Sequence, residues 1–158
     1  MEPKVVKSFT LSKRRVLTID SDNDVFICDV NDNGKKCFFT GSRFKNFYQM
    51  MPNINLEVTK ASDGKKVSLQ LHLGGGWYLS LTPGLHCVDI RRFYRDSSSG
   101  QIKPTKVGLA LTYSEFNSLM NAAACIMDEV DGFEAISHCW HDSQMELQHC
   151  RECNPFDE

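Results

Sequence analysis

The sequence predicts an α+β protein of two tandem units, each a set of short strands followed by one helix. Three observations carry that expectation. Apolar residues alternate with period two in short segments, as in strands with one buried face. Each group of segments ends in an apolar stripe of helical spacing. The whole order also occurs twice. "SFTLSKRRVLTI" (8–19) matches "QLHLGGGWYLSL" (70–81) at an offset of 62, and "VFICDV" (25–30) matches "LHCVDI" (85–90) at 60. "FFTGSRFKNFYQM" (38–50) then matches "ALTYSEFNSLMNA" (110–122) at 72.

In the first block Phe9, Leu11, Val16, Leu17 and Ile19 fall on Leu71, Leu73, Tyr78, Leu79 and Leu81; in the second, Asp29 falls on Asp89. The first helix carries Phe44, Phe47, Tyr48 and Met51, and Pro52 is expected to close it. The second opens at Thr112 with Glu115 three residues on, a capping-box pattern. Phe116, Leu119, Met120 and Ala123 follow as one core-facing stripe. The units are thus 5–52 and 66–130, with 53–65 as a connector holding an Asp-Gly turn and 131–158 as an acidic tail. The offsets give the second unit 12 extra residues before its helix.

The chain has 158 residues, 41% hydrophobic and 24% charged, enough apolar material for a core. No run approaches the ~18–20 apolar residues of a membrane span. The N-terminal "MEPKVVKSF" lacks a secretory apolar stretch, so the protein reads as intracellular with no membrane partner. Residues 1–110 hold 17 Lys/Arg against 10 Asp/Glu, a balance of +7, whereas 111–158 hold one Arg against 10 Asp/Glu, or −9. A basic body suggests an anionic partner; a solvated mixed-charge surface is the other reading.

Of seven cysteines, Cys28, Cys37, Cys87 and Cys125 are scattered and read as buried free thiols. The other three crowd "HCWHDSQMELQHCREC" (138–153) beside three histidines. Cys139-x-His141 and Cys150-x-x-Cys153, eight residues apart, offer the four ligands of a tetrahedral structural zinc. His138 and His149 are spare donors, and a tail of reactive thiols is the alternative.

The stretch "RRFYRDSSSGQIKPTKVG" (91–108) concentrates cations and rings. Within it, Arg91, Phe93 and Arg95 project to one face of a strand, and Arg92 and Tyr94 to the other unless a bulge intervenes. With its flanks, "VDIRRFYRDSSSGQIKPTKVGLALTYSEFNSLM" (88–120) resembles the positive-cofactor-four family of transcriptional coactivators, which bind single-stranded DNA. Asp89, Ile90, Arg91, Phe93, Tyr94, Lys103, Pro104, Lys106, Gly108 and Phe116 carry the likeness in order. The resemblance implies a curved, four-stranded antiparallel sheet followed by a helix, dimerising through helices and sheets. Two units in one chain would then form an intrachain pseudo-dimer, with a homodimer as the alternative. It also places Arg91, Tyr94, Lys103 and Lys106 at DNA-contact positions.

The chain departs from the family pattern. The family's basic hairpin is "TPGL" (82–85) in one unit and "SDND" (21–24) in the other, Val107 replaces a cation, and the first unit lacks the arginine-aromatic strand. Arg14 and Arg15, beside Lys13, are candidate compensating cations. Trp77, after Gly75 and Gly76, reads either as a stacking platform or as a core aromatic.

Single-strand binding needs cations for phosphates and flat rings for bases. The expected function is therefore a nuclear module for single-stranded or melted DNA, acting as a transcriptional coactivator or in a related transaction, with transcription-machinery proteins as further partners. The alternative is a protein-interaction scaffold that kept the fold and lost DNA binding. An enzyme is not expected: "LGGGWYL" (73–79) leads into a strand pattern rather than a phosphate-cradling helix.

Overall fold

The computed structural model describes residues 4–129. The expected zinc ligands Cys139, His141, Cys150 and Cys153 lie outside the described residues. Strands β1 (Val5–Thr10), β2 (Arg15–Asp20), β3 (Val25–Asp29) and β4 (Asp32–Phe39) lead into helix α1 (Gly41–Ser62). Strands β5 (Leu69–Gly74), β6 (Trp77–Leu81), β7 (Val88–Arg95) and β8 (Ile102–Leu111) lead into α2 (Tyr113–Glu129). Each set forms an open antiparallel sheet with its strands in sequence order. Alternation does what the sequence requires: Leu17, Ile19, Val25 and Ile27 are fully buried, and so are Leu79, Val88 and Ile90.

The helix caps are as local chemistry dictates. Thr112 N–H donates to Glu115 Oε1 at 2.8 Å, and Glu115 N–H returns to Thr112 Oγ1 at 3.0 Å. Thr40 caps α1 through Oγ1, which accepts Arg43 N–H at 3.3 Å. Pro52 does not end α1, contrary to expectation; the helix runs on to Ser62, so residues 53–62 of the expected connector are helical. A mid-helix proline costs about 3 kcal/mol. The apolar stripe continues past it through Ile54 and Val58, both buried, and this burial offsets the lost hydrogen bond.

Strand pairing corrects the repeat. Phe9 pairs with Leu17 and Leu71 with Leu79, in keeping with the offset of 62. Leu17 then pairs with Ile27, and Leu79 with Ile90, an offset of 63 rather than 60. Asp29 therefore occupies the place of Arg92, not of Asp89. The fourth strands keep 72, since Ile27 pairs with Cys37 and Ile90 with Leu109.

The two units share one core. Phe39 stacks on Phe47 at 5.3 Å between ring centroids and on Trp77 of the other unit at 6.5 Å. Cys37 Sγ donates to Ile90 O across the junction at 3.4 Å. Reciprocal contacts place each unit's first hairpin against the other's helix N-terminus. Ser12 Oγ donates to Glu115 Oε2 at 2.6 Å, and Arg43 Nη1 donates to Gly74 O at 3.4 Å. Ser12 and Gly74 correspond at offset 62, Arg43 and Glu115 at 72, so the pair obeys one approximate twofold, as an intrachain pseudo-dimer requires. Gly75 has φ +65°, a left-handed backbone conformation that favours glycine, and the Arg43 guanidinium occupies the space a Cβ would take.

Candidate nucleic-acid interface

The β7–β8 hairpin is the most cation-rich element, with Arg91, Arg92, Arg95, Lys103 and Lys106 against Asp89 and Asp96. Asp96 organises its turn. The Oδ1 atom accepts the Ser98 N–H at 3.2 Å and hydroxyl at 2.9 Å, and Oδ2 accepts the Ser99 hydroxyl at 3.1 Å. Lys103 Nζ lies 2.8 Å from Asp96 Oδ2. The Lys103 hydrogen bond, with those from Ser98 and Ser99, holds the Asp96 carboxyl down to about 2.

A bulge lies in β8. Arg91 pairs with Gly108 but Phe93 with Pro104, so Thr105, Lys106 and Val107 stand opposite Arg92 alone. Thr105 Oγ1 donates to Arg92 O at 2.7 Å and pins the bulge. Gly108 is obligatory: a Cβ there would meet the Ile90 carbonyl oxygen and come within 2.7 Å of Arg91 Cα. The bulge adds two residues to β8, an even number, and leaves β7 with its plain alternation.

The hairpin therefore has two different faces. On one, His72 stacks on Tyr78 at 4.7 Å, and Tyr78 meets Phe93 at 4.9 Å. Arg91 shares this face but is engaged: Nε and Nη2 hold the Asp89 carboxylate at 3.2 and 3.0 Å, and Nη1 donates to Thr105 O at 3.1 Å. Arg95 Nη1 donates to Gly100 O at 3.1 Å. Burial lowers the His72 imidazole below its usual range, and burial raises the Tyr78 phenol, partly opposed by Arg95. Both rings are thus uncharged at neutral pH.

The other face carries Arg92, Tyr94 and Lys103; Lys106 lies in the bulge of β8 opposite Arg92. Tyr94 and Lys103 are direct cross-strand partners. Tyr94 is 47% exposed. Arg92, Lys103 and Lys106 are exposed as well. Among the described residues, no ion pair engages Arg92 or Lys106. An exposed ring with cations on the same hairpin is the chemistry that holds a base and its neighbouring phosphates.

Three other candidates lie elsewhere. Arg15 is 7% exposed, sits 3.4 Å from Asp29 and 3.6 Å from Glu115, and belongs to the junction between units; it is not accessible to a phosphate. Arg14 is exposed but paired with Asp29 at 3.1 Å. The Asp29 carboxyl is held below the usual carboxylate range by the Asn31 N–H first, then by Arg15 and Arg14, against the opposing effect of burial. Trp77 is 4% exposed against Phe39, so it is the core aromatic and not a stacking platform. Sequence reasoning passed over His72 as a ring of the second face. The signal was the alternation of Gln70 and His72 with buried or half-buried leucines.

A family model described as Transcriptional Coactivator p15 (PC4) matches residues 84–122, from the turn before β7 into α2. No curated protein matches the chain.

Proposed function

We propose that this protein binds single-stranded or melted DNA through the β7–β8 hairpin and works as a transcriptional coactivator in the nucleus. One observation carries the reading. The matched segment, whose family name denotes a transcriptional coactivator, contains the exposed cluster of Arg92, Tyr94, Lys103 and Lys106. In this reading a base stacks on Tyr94, and Arg92, Lys103 and Lys106 take the phosphates on either side. Each stacked base is worth about 1–3 kcal/mol by alanine substitution. Lys103 exchanges Asp96 for phosphate when the strand arrives. Arg91 positions the bulge by tying Asp89 to Thr105 O, and Phe93 supports the strand from the ring face. The role is that of a binding module without catalysis. We also propose that Cys139, His141, Cys150 and Cys153 hold one structural zinc.

The test is fluorescence anisotropy of a labelled oligo-dT at low salt with the wild type and a variant in which Arg92, Tyr94, Lys103 and Lys106 are alanine. The variant is expected to bind at least about 100-fold more weakly, the sum of one lost stack and three lost phosphate contacts. Equal binding by the two proteins would place the strand elsewhere.

A further inference from the structure

The tip of the β7–β8 hairpin carries three serines in a row, Ser97, Ser98 and Ser99, to which the DNA reading gives no role. All three are exposed. Backbone bonds close the turn around them, from Gly100 N–H to Asp96 O at 2.7 Å and from Asp96 N–H to Gln101 O at 2.8 Å. The strands behind the turn are paired from Arg95 and Ile102 onward. An enzyme cleft can therefore take hold of the tip without unpairing the sheet, as exposed polar loop tips generally allow.

The charge around the serines is one-sided. Arg91, Arg92 and Arg95 precede them, with Arg95 three residues before Ser98. Lys103 and Lys106 follow, and no carboxylate occurs from Ser97 to Ser114. Kinases select substrates by such charge patterns. Arginine upstream suits an acidic kinase cleft, and the lack of acid downstream excludes a kinase that reads carboxylates after its serine.

Asp96 shows what a second anion at this tip would meet. Ser98 Oγ donates to Asp96 Oδ1 at 2.9 Å, and Ser99 Oγ donates to Oδ2 at 3.1 Å. Lys103 Nζ lies 2.8 Å from the same Oδ2. One carboxylate thus joins the serine hydroxyls to the ammonium that the DNA reading gives to a phosphate. A phosphoserine carries about −1.5 to −2 charge at pH 7 and three strong acceptor oxygens. On Ser98 it replaces the hydroxyl hydrogen that Oδ1 accepts, sets like charge against Asp96, and takes Lys103 for itself.

We propose that Ser98 is a phosphorylation site for an arginine-directed serine kinase, and that its phosphate weakens DNA binding by holding Lys103. Transfer forms a bond from Ser98 Oγ to the γ-phosphorus of ATP and breaks the bond from that phosphorus to its bridging oxygen. ADP and the hydroxyl proton are released. The effect on DNA rests on the reading of the hairpin above; the modification itself does not.

The full chain is incubated with magnesium-ATP and cyclic-AMP-dependent protein kinase, an arginine-directed serine kinase, and the product is mapped by fragment mass spectrometry. The wild type is expected to gain a phosphate on Ser98, and Arg95→Gln to gain it about tenfold more slowly. Ser98→Ala is expected to gain none in the turn and to bind oligo-dT within about twofold of the wild type. The phosphorylated wild type is expected to bind oligo-dT about tenfold more weakly than the unmodified chain. Its slope of log K against log salt becomes shallower by about 0.7, one phosphate contact. A wild type without phosphate on Ser98 would overturn the site. Equal oligo-dT binding before and after phosphorylation would overturn the switch. No oligo-dT binding by the unmodified chain would overturn the DNA reading and the switch with it, while the phosphate map still decides the site.

Discussion

Glu115→Ala is expected to loosen the junction between the two units. The Glu115 carboxylate accepts from Thr112 N–H at 2.8 Å and Ser12 Oγ at 2.6 Å, and pairs with Arg15 Nε at 3.6 Å. Both side chains of that pair are 8% exposed, so its loss is not made good by water. Breaking a buried pair from one side costs about 3–5 kcal/mol. Asp29 remains 3.4 Å from Arg15, which sets the value at the low end of that range. Loss of the cap adds about 1 kcal/mol, giving roughly 4 kcal/mol in all. For a chain of this length that lowers the Tm by about 8–16 °C, read by circular dichroism or calorimetry. A Tm for Glu115→Ala within about 1 °C of wild type, equivalent to less than roughly 0.5 kcal/mol, would refute the junction reading.

Asp96→Asn is expected to strengthen oligo-dT binding about twofold to fivefold, because it frees Lys103 and removes a like charge near the strand. The Asp96 carboxyl of the wild type is expected to titrate near 2 by NMR. Since that lies below its ordinary value of 3.8, the turn gains stability from Asp96 above about pH 4 and loses it as pH falls through about 2. A midpoint near 4 would contradict the Lys103 contact. Protein purified without a histidine tag is expected to carry about one zinc per chain by metal analysis, and Cys150→Ser to lose it; less than about half a zinc in the wild type would refute the ligand set.

Features set by local chemistry were legible in the sequence, and those set across the chain were not. The Thr112–Glu115 box and the alternation of Leu17, Ile19, Leu79 and Leu81 depend on neighbours a few residues away, and both appear in the structure as read. Pro52 was misread because a local breaker was weighed without the Ile54 and Val58 that continue its stripe. Arg15 looked like a surface cation because its partner Glu115 is remote in sequence. Asp29 and Asp89 share a residue type by coincidence, and only pairing moved the register by three. The opposition of Arg91 to Tyr94 follows the plain alternation of β7, as read; the bulge in β8 opposite Arg92 is a feature of pairing that no linear pattern displays.

The salt dependence of oligo-dT binding by the wild-type chain tests the central claim most directly. With Arg92, Lys103 and Lys106 on phosphates, log K is predicted to fall with log salt at a slope of about −2, from roughly −0.7 per neutralised phosphate. Tight, salt-insensitive binding, or no binding at about 10 µM protein in low salt, would contradict the account.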